Sequence, residues 1–109
     1  MAVNSDLMRG VAGPVILKLL AERTMYGYEI IRLVNERTNG AFEWREGTLY
    51  PCLHRLEEQG LIESSWQLAG AKPRKYYSIT RKGIAAMEEK VREAKEFVGA
   101  LHLLLGAAN

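Results

Sequence analysis

The sequence predicts a mainly α fold with one small β-hairpin and a long closing helix. Three observations carry this. Apolar residues recur at helical spacing in three successive stretches, about Pro14–Glu22, Tyr26–Thr38 and Glu46–Gln59. After Gly60 the period changes to two, through Leu61–Leu68 and again in Tyr76–Ile79. Beyond Thr80 an unbroken heptad pattern runs to Leu105. Three helices, a hairpin and a long helix, in that order, make a winged helix-turn-helix arrangement.

The 109 residues suffice for one globular unit, and 48% of them are hydrophobic, which excludes a disordered chain. Fifteen basic and thirteen acidic residues leave a net charge of +2, so any case for a polyanionic partner rests on how the charges are distributed. Cys52 is the only cysteine, which excludes an intrachain disulfide. No apolar run approaches the roughly 18 residues needed to span a membrane. The opening Met-Ala-Val-Asn-Ser-Asp lacks the charged and apolar regions of a signal peptide. A cytoplasmic chain with no membrane partner is expected.

Asn4–Gly10 reads as a short helical lead-in with Leu7 and Met8. Gly13-Pro14 opens the first main helix, because proline costs no intrahelical donor in a first turn. Its run Val15-Ile16-Leu17-Lys18-Leu19-Leu20 is apolar around most of the helix. In the second helix Ile30, Leu33, Val34 and Arg37 keep the spacing, with Ile31 beside them, and Asn39-Gly40 closes it. Gly27, a poor helix former in its first turn, marks a close approach of some neighbour. Gly40–Glu46, with Phe42 and Trp44 in alternation, is a short strand or an extended loop.

The third helix turns Leu49, Leu53 and Leu56 to one side, leaves Thr48, Pro51, His54, Arg55 and Glu58 on others, and sets Tyr50 at the border. Gly60 stops it, and Leu61 supplies the hydrophobic contact that accompanies a glycine C-cap. In the hairpin Ile62, Ser64, Trp66 and Leu68 share one face, Tyr77 and Ile79 share one on the returning strand, and Ala69–Pro73 is a flexible tip. Thr80 caps the last helix. Its seam, Ile84, Met87, Val91, Ala94, Val98, Leu101 and Leu105, advances by 3, 4, 3, 4, 3, 4. At about 1.5 Å per residue this helix is on the order of 40 Å long, more than a small domain needs to cover its own core. Its outer end is expected to pack on a second copy. Residues 1–80 form the expected DNA-binding domain and 81–109 the dimerisation helix.

The candidate chemistry is recognition. A DNA-reading helix needs a bracing helix before it, and Tyr26–Thr38 stands in that place for Glu46–Gln59. From Gly70 to Lys82 there are five basic residues, Lys72, Arg74, Lys75, Arg81 and Lys82, interleaved with Tyr76 and Tyr77 and free of acids. On a protruding loop these suit phosphates or a minor groove. Thr48 and Tyr50, near the start of the third helix, are candidate phosphate contacts, and His54 a candidate base contact. Cys52 sits among the leucines as a small core residue. Two histidines and one thiol give no metal-ligand spacing, no nucleophile, base and orienter stand together, and no glycine-rich phosphate loop occurs. Neither an enzyme nor a cofactor is expected. Trp44, Trp66, Met87, Ala94 and Phe97 are core or interface residues that also suit an apolar ligand site between subunits.

Several strings resemble the PadR family of bacterial transcriptional regulators. They are Met25-Tyr26-Gly27-Tyr28-Glu29-Ile30, Gly47-Thr48-Leu49-Tyr50-Pro51, Leu53-His54-Arg55-Leu56-Glu57-Glu58-Gln59-Gly60-Leu61-Ile62, and Pro73-Arg74-Lys75-Tyr76-Tyr77-Ser78-Ile79-Thr80, with Gly83 shortly after. The resemblance covers about Met8 to Gly83, and the single closing helix is similar to the smaller subfamily. It implies a homodimeric repressor whose reading helices enter successive major grooves of a pseudo-palindromic operator while the wings contact flanking DNA. It places Tyr26, Thr48 and Tyr50 at DNA-contacting positions and Arg74 and Lys75 on the wing. Many members release DNA when a small phenolic or other hydrophobic molecule binds. Some relatives stack flat drugs on a tryptophan of the last helix, where this chain has Ala94. The competing reading is a winged-helix module that docks on a protein and binds no DNA; the basic, acid-free wing favours DNA.

Overall fold

In a computed structural model that describes residues 5–106, the helices and hairpin follow the expected order. Asn4, expected to begin the lead-in, lies outside the described residues, as do the last three residues of the 81–109 segment. The elements are α1 (Ser5–Arg9), α2 (Ala12–Glu22), β1 (Met25–Tyr26), α3 (Gly27–Arg37), α4 (Glu46–Glu58), β2 (Ile62–Ala69), β3 (Lys72–Ile79) and α5 (Arg81–Leu105).

Helix α2 is the core of the body. Ala12, Ile16, Leu17, Leu19 and Leu20 are buried, and the helix packs against α4, β3 and α5. Met8 of α1, Ile30 and Val34 of α3, and Leu49, Cys52, Leu53 and Leu56 of α4 complete the cluster. The Gly40–Glu46 connection is irregular and not a strand, but it is held. Thr38 Oγ1 accepts the Phe42 N–H at 3.0 Å, and Asn35 Oδ1 accepts the Trp44 N–H at 2.9 Å. These bonds carry Trp44 into the core.

Two boundaries differ from the sequence expectation. Tyr26 does not begin a helix. It is extended and caps α3, its N–H donating to Glu29 Oε1 at 3.2 Å, while Met25 and Tyr26 pair with Tyr77 and Tyr76 as a third strand. Two residues carry no periodicity, so this strand leaves no trace in an apolar pattern. The hairpin is also longer than expected. Ala69 pairs with Lys72 around a two-residue Gly70-Ala71 turn, so the expected loop over Ala69–Pro73 is mostly ladder. Gly70 has φ of 69°, which suits the first central position of a type II′ turn. Pro73 is tolerated because β1 reaches only Tyr76 and Tyr77, leaving one edge of β3 unpaired beside it.

The base of the hairpin is tied to α4 and α5 together. The Leu61 N–H closes the end of α4 on the Leu56 carbonyl at 3.0 Å, in the glycine-cap pattern expected at Gly60, and Leu61 is buried. The Leu61 carbonyl in turn accepts the Thr80 N–H at 3.0 Å. Thr80 Oγ1 donates toward the Gly60 and Leu61 carbonyls and accepts the Gly83 N–H at 3.0 Å, capping α5. Lys82 Nζ donates to the Gln59 carbonyl at 2.9 Å. A Cβ on Gly83 would run into the Leu61 carbonyl oxygen and into Ile79.

Along α5 the heptad seam emerges from the body. Met87, Val91 and Ala94 are half-buried, while Val98 and Leu105 are 60% and 76% exposed. Ile84, Phe97, Leu101, Leu103 and Leu104 are exposed as well.

Gly83→Ala is expected to lower stability by about 1–3 kcal/mol, because the obstacle is backbone that cannot swing away. Gly99→Ala, whose Cβ would meet nothing within 4 Å, is expected to raise it by about 0.5–1 kcal/mol through helix propensity. Urea midpoints of the two variants check this; equal midpoints would mean that the α5 start has slack.

Candidate nucleic-acid interface

The interface begins at the start of α4. Arg45 is the N-cap residue and its side chain makes no capping bond, so no side chain of the cap blocks the helix's first N–H groups. Those donors, with the positive end of the helix dipole, suit an anion. Thr48 is half-buried in this first turn, and Tyr50, Pro51 and His54 are exposed along the same helix. Pro51 lies in the second turn and removes one donor, which leaves the Gly47 carbonyl without its usual intrahelical partner.

Tyr50 leans back across the start of α3. A Cβ on Gly27 would stand 2.5 Å from Tyr50 Oη and 3.1 Å from Cζ. The close approach expected at Gly27 is therefore a side chain of the reading helix. Behind it Tyr77 is buried, and burial, then the neighbouring Tyr50 and Glu57, push its hydroxyl above its ordinary pKa.

Tyr26, beside Gly27, joins this surface to the wing. Its ring meets Tyr76 edge-on, with centroids 5.5 Å apart, and the Arg74 guanidinium sits 4.4 Å from its centroid. Glu29 holds Tyr26 from the other side. Burial raises the Glu29 pKa, but the Arg23 bond at 2.8 Å and the Tyr26 N–H outweigh it and hold the carboxyl below the usual 4.5.

Residues paired directly across an antiparallel ladder share a face. One face of the sheet carries Tyr26, Tyr76 and Arg74; the other carries Met25, Tyr77, Ile62 and Ile79 at its base, then Lys75 opposite Trp66 and Pro73 opposite Leu68 toward the tip. Lys75 Nζ lies 5.8 Å from the Tyr77 centroid. Lys72 is exposed beside the turn. Of the five basic residues in Gly70–Lys82, Lys82 caps the end of α4 instead of extending the wing. Thus Tyr26, Tyr50 and Arg74 are linked side by side, Thr48 and His54 lie on the same helix as Tyr50, and Lys72 and Lys75 flank the wing.

The five residues considered for an apolar ligand are not gathered. Trp44 is 1% exposed in the core, and among the described residues its Nε1 finds no hydrogen-bond partner. Trp66 stands on the wing, Met87 packs against the core, and only Ala94 and Phe97 border a groove. That groove, of about 480 Å³, runs between α2 and α5 over Val15, Leu19, Phe42, Val91, Ala94 and Val98. Lys18, Lys95 and the Glu22–Arg37 pair stand at its edge, Arg37 bonding both carboxylate oxygens at 2.7 and 2.9 Å. An adjoining groove reaches Leu7 and Phe97. Its walls on α2, Val15 and Leu19, belong to the apolar run that the sequence pattern assigned to the core.

Cys52 is buried on the inner side of α4, and burial pushes its thiol up against the opposing pull of Arg55, which keeps it protonated. Among the described residues no group of His, Cys, Asp and Glu could hold a metal ion.

The model of the transcriptional regulator PadR-like family matches residues 16–89. The chain belongs to that family. Its fold is that of a transcriptional regulator from Clostridium thermocellum, with a TM-score of 0.85 and 32% identity over 96% of this chain and all of that one. A PadR family transcriptional regulator from Eggerthella lenta matches with a TM-score of 0.79 and 32% identity, over 94% of this chain and 88% of the other. The transcriptional regulator Rv3488 of Mycobacterium tuberculosis is 38% identical over 64 residues, 59% of this chain and 60% of its own length. As a PadR-family chain the protein is a DNA-binding transcriptional regulator, and the surface joining α4 to the wing is its candidate DNA interface.

Gly27→Ala is expected to displace the Tyr50 ring at little cost in stability, since Tyr50 is 40% exposed and can swing outward. DNA affinity should fall roughly ten-fold if Tyr50 donates to a phosphate. Thermal melts and fluorescence anisotropy with upstream DNA separate the two effects; undiminished binding would take Tyr50 out of the interface.

Proposed function

We propose that this PadR-family chain acts in the cytoplasm as a homodimeric repressor on a pseudo-palindromic operator. The observation that carries the proposal is the continuity of one donor-rich surface from the α4 start through Tyr50 and Tyr26 to the Arg74 guanidinium, next to a wing without acids between Ser64 and Met87. The α4 helix of each subunit enters a major groove, with half-sites about 34–36 Å apart on one side of the duplex. Thr48, Tyr50 and the α4 N–H groups hold phosphates, His54 faces base edges, and Lys72, Arg74 and Lys75 lie on flanking backbone.

What supports the dimer is the apolar seam that α5 leaves uncovered from Val98 to Leu105. What supports an effector is the apolar groove between α2 and α5, of a size that takes a small phenolic or other hydrophobic molecule. Because α5 forms both its wall and the seam, a molecule seated there shifts α5, and with it the spacing of the two α4 helices. Among the described residues no helix is long and apolar enough to cross a membrane.

Alanine at both Arg74 and Lys75 is expected to weaken binding on every DNA sequence. The slope of log affinity against log salt should become shallower by about 0.9 for each phosphate left without its cation, or about 1.8 per subunit. An unchanged slope would remove the pair from the phosphates. For the assembly, light scattering is expected to give twice the chain mass at micromolar concentration, and Val98→Glu with Leu101→Glu to give the single chain. A wild-type monomer would end the dimer reading.

A further inference from the structure

The far half of the wing carries apolar surface that the body of the domain does not use. Trp66 is 67% exposed and Leu68 78% exposed, and both lie on the face that is buried at the base of the sheet. That face leaves the core after Ser64, whose hydroxyl is fastened to Glu57 of α4 at 2.6 Å, and continues toward the turn as Trp66 beside Lys75 and Leu68 beside Pro73. An exposed tryptophan and leucine on adjacent same-face positions carry a solubility cost that ordinary surface strands avoid.

Charge identifies the partner. Lys75 shares the face of the apolar pair, Lys72 and Arg74 stand on the other face of the same ribbon, and no acid occurs in the sequence from Ser64 to Met87. A protein-docking patch does not need such an excess of cations, whereas a groove walled by phosphates does. The dimensions agree as well. A two-stranded ribbon with a two-residue turn is narrow at its end, and apolar side chains are a common means of entering a minor groove, where they pack on sugars and part base steps.

We propose that Leu68 and Trp66 form an apolar blade that the wing inserts into the minor groove flanking the operator half-site, with Lys72, Arg74 and Lys75 gripping the phosphates on either side. The inference rests on the DNA-binding reading and deepens it: it assigns to two uncharged residues the part of the wing's affinity that salt does not screen.

The two tryptophans make this testable without mutation. Trp44 is buried and Trp66 exposed, so acrylamide quenching of intrinsic fluorescence reports on Trp66. A duplex taken from DNA upstream of the coding region is expected to protect Trp66 from the quencher. Trp66→Ala with Leu68→Ala should cost roughly ten-fold or more in affinity, as expected for losing buried apolar side chains, and leave the salt slope unchanged. This is the opposite signature from the Arg74 and Lys75 variant. If the protein binds the duplex and Trp66 stays fully quenchable, the blade is wrong and the DNA reading stands. If no duplex binds at any salt, both fall. Protection of Trp66 that appears with protein concentration alone would assign the blade to a second copy and overturn the proposal.

Discussion

The carbonyl of Leu61 is the point on which the geometry of this protein depends. It accepts the Thr80 N–H, lies within reach of the Thr80 hydroxyl, and leaves no room for a side chain at Gly83. Three elements meet there: the end of α4, the base of the hairpin and the start of α5. Lys82, bonded to Gln59, ties the same corner from outside. The angle between the reading helix and the long helix is thus set by backbone contacts, which have few alternative arrangements. Such a corner suits transmission of a shift of α5 to α4 and the wing. That is the mechanical property a regulator needs if events between α2 and α5 are to change its grip on DNA.

The second coupling runs across the front of the molecule. Tyr50 occupies the space that a side chain at residue 27 would take, Tyr26 next to it meets Tyr76 edge-on, and Arg74 covers Tyr26. Each interaction is modest alone; a cation–π pair at an exposed site is worth about 0.5–1 kcal/mol. Their effect is positional. Arginine and tyrosine side chains that would otherwise sample many rotamers are arranged before a ligand arrives, which reduces the entropy lost on binding. Glu29, kept ionised by Arg23 and by the Tyr26 N–H, anchors the row at its inner end.

Much of this was legible in the sequence because it rests on period and on caps. The three helices, the switch to a two-residue period after Gly60, the Thr80 cap and the heptad seam each leave a local signature, and each stands where expected. What was not legible depends on residues distant in the chain. Strand β1 exists because Met25 and Tyr26 lie against Tyr77 and Tyr76, some fifty positions away. The hairpin turn was read as a loop because Gly70, Ala71 and Pro73 resemble one, although a proline beside an unpaired strand edge breaks nothing. At the site, Gly27 announced a close neighbour without naming it. The residues grouped for an apolar ligand were chosen by type, and the chain scatters them: Trp44 to the core, Trp66 to the wing, Ala94 and Phe97 to a groove whose other walls, Val15, Leu19 and Phe42, had been read only as core or loop residues.

The two apolar surfaces left exposed are different in kind, and the charges around them separate their roles. Along the outer part of α5, acids and bases alternate beside the seam, with Glu93, Lys95 and Glu96 between Arg92 and Phe97. A face bordered by both signs is complementary to a copy of itself, as a two-fold interface requires. The hairpin that carries Trp66 and Leu68 has only bases among its charged residues from Ser64 onward. Two such faces would repel one another, so that surface is poorly suited to self-association and well suited to a polyanion. A single chain of this size therefore presents one surface that favours pairing and one that disfavours it, at opposite ends of the α4–hairpin–α5 corner. Joined through that corner, the first would set the distance between two copies of the second in the proposed dimer.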